Sequence, residues 1–470
     1  MVDALEAGPQ TFVTVPGDRH SEVGRNLAEP VPKALGMVDL LGLWGNLGVS
    51  LLGFTGAIFV LQPNGSGTPE LSLAAGLCAI VLGTVLGTVP IALAGIPGTR
   101  TGAPAMVLLR GLFGARVSYL PTALNILQCL GWGTFELVTI ATAAHTVAPG
   151  LPRWGYVLIG GGLTAVLAVR PLGFIRTLRR YVTTAVVLVL GYLLVALLRH
   201  PLPSLTHGSW SGFWAATDTV VAAAISFAPL AADYTRHARS ERATFVGTVV
   251  GYGITQTLCY VIGLLALLTV ARTPNDIYGA FIALPAGTIG FAVLAARELD
   301  QSFANVYSTA VSTQNLRPLW DRRVLALLVA AVTTAGALVL NVADYENFLV
   351  LIGSVFVPMS AVLVVDFFFV SRRGWDLAPT APARWRMLVP WAAGFVVYQL
   401  INPGYVSWWV SPWTHFAHLI GFVPASWMSA SILSFATAAA VTLAVGGLAA
   451  LTGRARPGGD APAAPVTAAR

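Results

Sequence analysis

Glu136 stands four residues after Trp132 in the string Gly131-Trp132-Gly133-Thr134-Phe135-Glu136, inside a long apolar stretch. One helical turn apart, the two side chains share a face. A carboxylate in hydrocarbon costs about 3 kcal/mol on insertion scales, so its presence needs a reason. An indole face beside a carboxylate suits a flat ring bearing N–H donors: the aromatic stacks and the carboxylate accepts. The glycines on either side of Trp132 are expected to leave room for that ring. The plainer alternative is a core Trp with Glu136 satisfied by a neighbouring helix.

A second constellation lies near residue 300. Arg297, Gln301, Asn305 and Ser308 recur at helical spacing and form one polar stripe, flanked by Glu298 and Asp300. Such a stripe cannot face lipid; it lines a site, or it is an internal ion-pair network around Arg297. Glu298 and Asp300, together with Glu136, are the groups whose protonation could couple proton movement to the work of such a site. Asp218, Asp233 and Asp366 fall nearer the ends of apolar segments, where caps or interfacial salt bridges are expected.

The elements that position these groups follow from composition. Of 470 residues, 56% are hydrophobic and 10% charged, against about 25% charged in a soluble domain. That excludes a soluble protein. Apolar runs long enough to cross a bilayer occur near 36–61, 70–95, 118–148, 154–170, 181–199, 212–232, 244–271, 279–313, 324–342, 346–371, 386–402 and 428–452. The eleventh is short, and the Trp- and Pro-rich stretch 403–427 reads as either interfacial or part of a span.

With twelve spans, 23 of the 27 basic residues fall in the tails and the even-numbered loops. The positive-inside rule then predicts both termini in the cytoplasm of a multi-pass plasma-membrane protein. The net charge of +7 is therefore an orientation signal and not a nucleic-acid footprint. Cys78, Cys129 and Cys259 sit singly in apolar runs and read as small core residues. Neither they nor the scattered histidines form a metal site, and no cofactor or obligatory protein partner is expected. Residues 1–35 read as a polar tail without signal-peptide character, and 453–470 as a disordered tail.

Two segments carry helix-breaking strings. The first contains Gly45-Asn46-Leu47-Gly48-Val49-Ser50-Leu51-Leu52-Gly53-Phe54, and the sixth contains Ser226-Phe227-Ala228-Pro229. Interruptions five segments apart are what a five-plus-five repeat requires, and in transporters unwound backbone marks the site. Carriers apart, a passive channel or facilitator remains open. A membrane-embedded enzyme is disfavoured, because no catalytic triad or phosphate loop is readable.

These strings resemble the nucleobase:cation symporter family, purine-cytosine permease branch. The likeness rests on Phe113-Gly114, on Gly131-Trp132 with Glu136, on Ser226 through Arg236 (Ser-Phe-Ala-Pro-Leu-Ala-Ala-Asp-Tyr-Thr-Arg), and on Phe303-Ala304-Asn305-Val306-Tyr307-Ser308. It implies an all-α, LeuT-like fold: a first inverted repeat over 36–200, a second over 201–371, and two further helices over 372–452. It also implies symport of a nucleobase-like heterocycle with a proton or sodium ion. By motif, Trp132 resembles the stacking residue, Glu136 its hydrogen-bonding neighbour, and Asn305 with Gln301 the polar ligands of segment 8. Ser50, Gly53 and Phe54 are implied as the segment 1 contribution, and Phe227 stands where many relatives have Trp. Leu299 and Asp300 stand near where sodium-using relatives place small hydroxyl residues, so proton coupling is favoured. A sodium-coupled carrier of hydantoin-, allantoin- or thiamine-precursor-like rings is the alternative.

Overall fold

The computed structural model describes residues 32–63, 70–169, 172–271, 276–317, 320–341, 344–372 and 374–451, with side chains undescribed at 172–183, 300, 303, 304, 307, 311, 314, 322 and 449–451. Both expected tails fall largely outside this range. In chain order the α-helices are α1 (Met37–Leu47), α2 (Leu51–Leu61), α3 (Leu73–Thr101), α4 (Ala105–Phe113), α5 (Tyr119–Val147) and α6 (Arg153–Val169). They continue with α7 (Leu172–Leu198), α8 (Phe213–Ile225), α9 (Ala231–Thr235), α10 (Glu241–Thr269), α11 (Ile277–Ile282) and α12 (Gly287–Leu316). The last five are α13 (Arg322–Val339), α14 (Tyr345–Val365), α15 (Leu388–Ile401), α16 (Ser407–Leu419) and α17 (Ala430–Leu451).

Both expected interruptions are present. α1 and α2 form one span bent by 60°. At the break the chain passes close against α10: a Cβ on Gly48 would lie 2.7 Å from the Tyr252 carbonyl oxygen, which leaves no space for a side chain. Ser50 is extended there, and its hydroxyl accepts from the Leu52 N–H at 3.1 Å to restart the helix. In the sixth segment α8 ends at Ile225, a short 3-10 turn covers Ala228–Leu230, and α9 resumes; Pro229 supplies no N–H to an unbroken ladder.

Among the described residues six helical stretches are long and apolar enough to cross a membrane, the sixth segment Phe213–Thr235 included, and the bent pair α1–α2 makes a seventh. Three shorter apolar helices lie at Arg153–Val169, Thr184–Leu198 and Arg323–Val339. Every expected segment is helical, but the eighth differs from its sequence reading. The chain breaks between α11 and α12 at Ala283–Ala286, where Pro285 precedes Ala286 at φ 53°, a combination no continuous helix accommodates. The 403–427 stretch holds α16, none of whose residues is buried; its exposed Trp408 suits a membrane–water boundary.

Small residues set the close packing. A Cβ on Gly83 would meet the Thr217 carbonyl oxygen at 2.7 Å, and one on Gly87 the Ala224 Cβ at 2.5 Å, which lets α3 lie against α8. Outward faces carry Leu127, Leu158, Leu163, Leu188, Ile254 and Leu328 exposed, as lipid contact demands. Cys129 and Cys259 are buried, whereas Cys78 is exposed on α3 and is not a core residue.

The connections that follow the second, sixth, eighth and tenth expected segments meet around α4. Asp233 accepts from the Ala105 N–H at 2.9 Å, and Arg110 Nε donates to Asn315 Oδ1 at 2.9 Å. Arg384 donates to the Gly111 carbonyl and pairs with Asp366 at 2.7 Å. Nearby, Lys33 donates to the Thr99 carbonyl, and Leu35 pairs with the 237–239 backbone. Asp233 and Asp366 thus serve as the expected cap and salt bridge. Asp218 plays a cap's part too, accepting from Ser429 Oγ and from the Ala430 and Ser431 N–H groups at the start of α17.

Candidate functional site

α5 and α12 pack along their length, and the face they share is polar. Asn305 Nδ2 donates to Glu136 Oε1 at 2.8 Å, with both residues buried. A charge-assisted bond of this kind offsets part of the cost of burying the carboxylate. Gln301, one turn before Asn305, is buried with an Oε1 that has no hydrogen-bond partner among the described residues.

Trp132 projects from α5 towards α14. Its ring meets Tyr345 at 5.8 Å and Phe348 at 5.3 Å, both edge to face, and its Nε1 has no partner among the described residues. The flanking glycines do not leave open space for a ligand as expected. A Cβ on Gly131 would lie 2.6 Å from Phe348 Cζ, and one on Gly133 would lie 2.9 Å from Thr333 Cγ2. The room they create is filled by neighbouring helices.

Asn125 and Gln128, neither of them singled out from the sequence, belong to this face as well. Gln128 Nε2 donates to the Ser226 carbonyl at 3.0 Å, tying α5 to the irregular part of segment six. Asn125 Nδ2 donates to Ser312 Oγ at 2.8 Å, and Ser308 Oγ lies 3.3 Å from the Tyr234 hydroxyl. The signal was available: Asn125, Gln128, Trp132 and Glu136 follow one another at helical spacing.

Glu298 sits elsewhere on α12, facing the first broken span. Ser50 Oγ donates to its Oε1 at 2.6 Å and the Leu51 N–H to its Oε2 at 3.1 Å. The carboxylate thereby takes up an orphan donor at the start of α2 and lies against the positive end of that helix. Side chains adjacent on a helix diverge, so the turn of Glu298 towards α2 leaves Arg297 on another bearing. The Arg297 guanidinium is buried and not one of its three nitrogens has a hydrogen-bond partner among the described residues. Its charge nevertheless acts on the adjacent Glu298 carboxylate, so the expected ion-pair network takes the form of a through-space pairing without a hydrogen bond.

The remaining expected residues are spread out. Gly53 abuts Cys259 of α10, and Phe54 packs on Phe281 at 5.1 Å, away from Trp132. Phe227 lies against Tyr252 at 5.3 Å and Trp44 at 6.3 Å; among the described ring pairs it does not touch Trp132. The Asp300 side chain lies outside the described residues. Trp132, Glu136, Asn305 and Gln301 thus form one group, and Ser50 and Glu298 a second.

A family of permeases for cytosine/purines, uracil, thiamine and allantoin matches residues 44–386. The chain belongs to that family. It is a membrane transporter of the nucleobase:cation symporter kind, with the fold on which alternating access operates. A Bacillus subtilis protein named as the purine-cytosine permease YxlA is 24% identical over 367 residues, covering 71% of this chain and 76% of its own. The inward-facing structure of Mhp1 superposes with a TM-score of 0.69 at 17% identity, covering 92% of this chain and 96% of Mhp1. A closed Mhp1 with bromovinylhydantoin bound gives 0.67 at 17% identity, over 90% and 95%. A Na+-coupled sialic acid symporter gives 0.50 at 12% identity, over 88% and 96%.

Proposed function

We propose that the transporter imports a flat, N–H-bearing heterocycle of the nucleobase kind, driven by protons. The observation that carries this is the buried Glu136–Asn305 pair one turn from Trp132, whose indole Nε1 has no partner among the described residues. A carboxylate accepts ring N–H groups, an amide both accepts and donates, and an indole supplies a face and a donor. Base stacking on an aromatic contributes about 1–3 kcal/mol per ring. Phe227 supplies the second face once the bundle rearranges.

Proton coupling rests on α12. The Leu299 side chain packs against an apolar cluster with Leu137 and Val138 and, unlike a hydroxyl residue, offers no side-chain oxygen to a sodium ion. Glu298, by contrast, joins α12 to the start of α2, where a proton on the carboxylate changes how two halves of the bundle hold together. The family matched and the concentration of basic residues around α4 support a plasma-membrane protein with both termini in the cytoplasm.

Uptake of radiolabelled uracil, cytosine, hypoxanthine and allantoin into cells expressing the chain tests this. Accumulation of one of them, collapsed by a protonophore and indifferent to sodium, is expected. In Glu136→Gln and Asn305→Ala, uptake of that ring falls at least about tenfold while protein reaches the membrane. Sodium-dependent accumulation removes the proton reading; unchanged uptake in both variants removes the site.

A further inference from the structure

Asp233 has one oxygen in use and one idle. Its Oδ1 accepts from the Ala105 N–H at 2.9 Å, whereas its Oδ2 has no hydrogen-bond partner among the described residues. The residue is 1% exposed. A buried acceptor without a donor costs about 1–3 kcal/mol, and more when it is charged. A proton on Oδ2 removes the charge and leaves Oδ1 able to hold the Ala105 N–H as before. The cap on α4 therefore does not require an ionised carboxylate.

The surroundings accommodate both protonation states. When ionised, the carboxylate is answered through space by Arg236 on its own segment. Of the elements packed against α9, α4 brings Arg110, which is bound to Asn315, and α3 brings Arg100, which is exposed. From α1, Trp44 touches Tyr234, and the Asp39 carboxylate there holds the Gly36 N–H. From α5, Cys129 is buried within electrostatic reach of both Asp233 and Glu136.

The polar stripe of α12 leads from the site to this carboxylate. Glu136 accepts from Asn305 at 2.8 Å; Ser308 follows Asn305 by one turn, and its Oγ lies 3.3 Å from the hydroxyl of Tyr234, the residue next to Asp233. Beyond it, Asn125 with Ser312 and Asn315 with Arg110 carry the polar seam on to α4. A second buried carboxylate thus stands between the site and the face proposed above as cytoplasmic.

We infer that Asp233 is the group that releases the coupled proton to the cytoplasm. The inference rests on the proton reading and the orientation proposed above, and it gives the proton its way out. One proton that entered with the ring passes to Asp233 Oδ2 as the ring leaves. Parting of Ala105 from Asp233 then opens the carboxyl to cytoplasmic water, which takes the proton and restores the carboxylate. One proton is bound and one is released, and no bond other than O–H forms or breaks. Glu298, at the break in the first span, keeps its separate part in holding α2 to α12.

Proteoliposomes holding the purified full-length protein separate this role from a structural one, with radiolabelled uracil, cytosine, hypoxanthine and allantoin as probes. Accumulation driven by a pH gradient, alkaline inside, needs net proton release; exchange of external label for internal unlabelled ring at equal pH does not. In Asp233→Asn, accumulation is expected to fall by about a hundredfold, the low end for loss of a positioned proton-transfer group, while exchange persists. Accumulation retained in Asp233→Asn overturns the inference and leaves the symport reading standing. Loss of both rates in folded protein overturns it too, because loss of the α4 cap alone gives that result. Should Asp233→Asn not fold, Asp233→Ser, which keeps an acceptor for the Ala105 N–H, is read by the same two rates; failure of both to fold overturns the inference. Sodium-driven accumulation by wild type, or accumulation of none of the four rings, overturns it together with the reading it rests on.

Discussion

Ser50 and Glu298 are 248 residues apart in the chain and 2.6 Å apart in the fold, with the serine hydroxyl donating to the carboxylate. The bond joins the break in the first span to the centre of α12. It also completes a cap, since Ser50 accepts from Leu52 N–H while Glu298 takes the Leu51 N–H. Adding a proton to Glu298 removes the charge that the start of α2 favours and turns an acceptor oxygen into a donor. The contact between the start of α2 and α12 therefore depends on the protonation state of one residue.

Glu298→Gln keeps the size of the side chain and removes the charge. Uptake is expected to fall at least about tenfold, the loss of one hydrogen bond to a charged group, and its dependence on external pH to flatten. Initial rates across a series of external pH values, normalised to protein in the membrane, check this. A wild-type rate and profile would show that the carboxylate has no coupling role.

Gly131 gives way to Phe348. With a Cβ placed 2.6 Å from the Phe348 Cζ, Gly131→Ala overpacks the contact between α5 and α14, at a cost of about 1–3 kcal/mol. The melting temperature of the purified protein is expected to drop. Phe348→Ala in the same chain should recover part of the loss, because the two changes share one contact. Strictly additive losses would mean that Phe348 is not what the glycine accommodates.

His237 makes stability depend on acid. Its Nε2 accepts from Arg236 Nε at 3.3 Å and its Nδ1 lies 3.3 Å from the Pro32 carbonyl oxygen, an arrangement that needs a neutral ring. Burial first, and the Arg236 charge second, press its pKa down from 6.5 to about 3. The unfolded chain therefore binds the extra proton more readily between those values. The contribution is fully present above pH 6.5 and is lost as pH falls towards 3. Thermal melts from pH 7 to pH 4 should show wild type weakening more steeply than His237→Gln; parallel curves would assign the acid sensitivity elsewhere.

Both broken spans were legible in the sequence, because glycine, proline and asparagine clusters interrupt otherwise apolar runs and backbone chemistry is local. The shared face of Trp132 and Glu136 followed from spacing alone. What spacing does not contain is the partner across the gap. Asn305 was singled out, but that its amide donates to Glu136 depends on how two helices 169 residues apart are docked. Phe348 filling the notch at Gly131, and α11 parting from α12 at Pro285, are likewise products of packing and of one local turn. Trp132 and Phe227, both expected at the site, fall into two clusters for the same reason: each ring follows the helix it belongs to, and periodicity says nothing of the distance between helices.

The short helix α4 has one further implication. Nine residues long, it is held at once by Asp233 near the end of α9, by Asn315 of α12 and by Arg384 beyond Asp366. Hydrogen bonds fail within a fraction of an ångström past their limit, so none of these three attachments stretches. Because α4 is fastened to all three neighbours at once, a movement of any one of them either carries α4 with it or breaks a buried hydrogen bond, so this corner ties the rearrangement of three separate elements to one short helix.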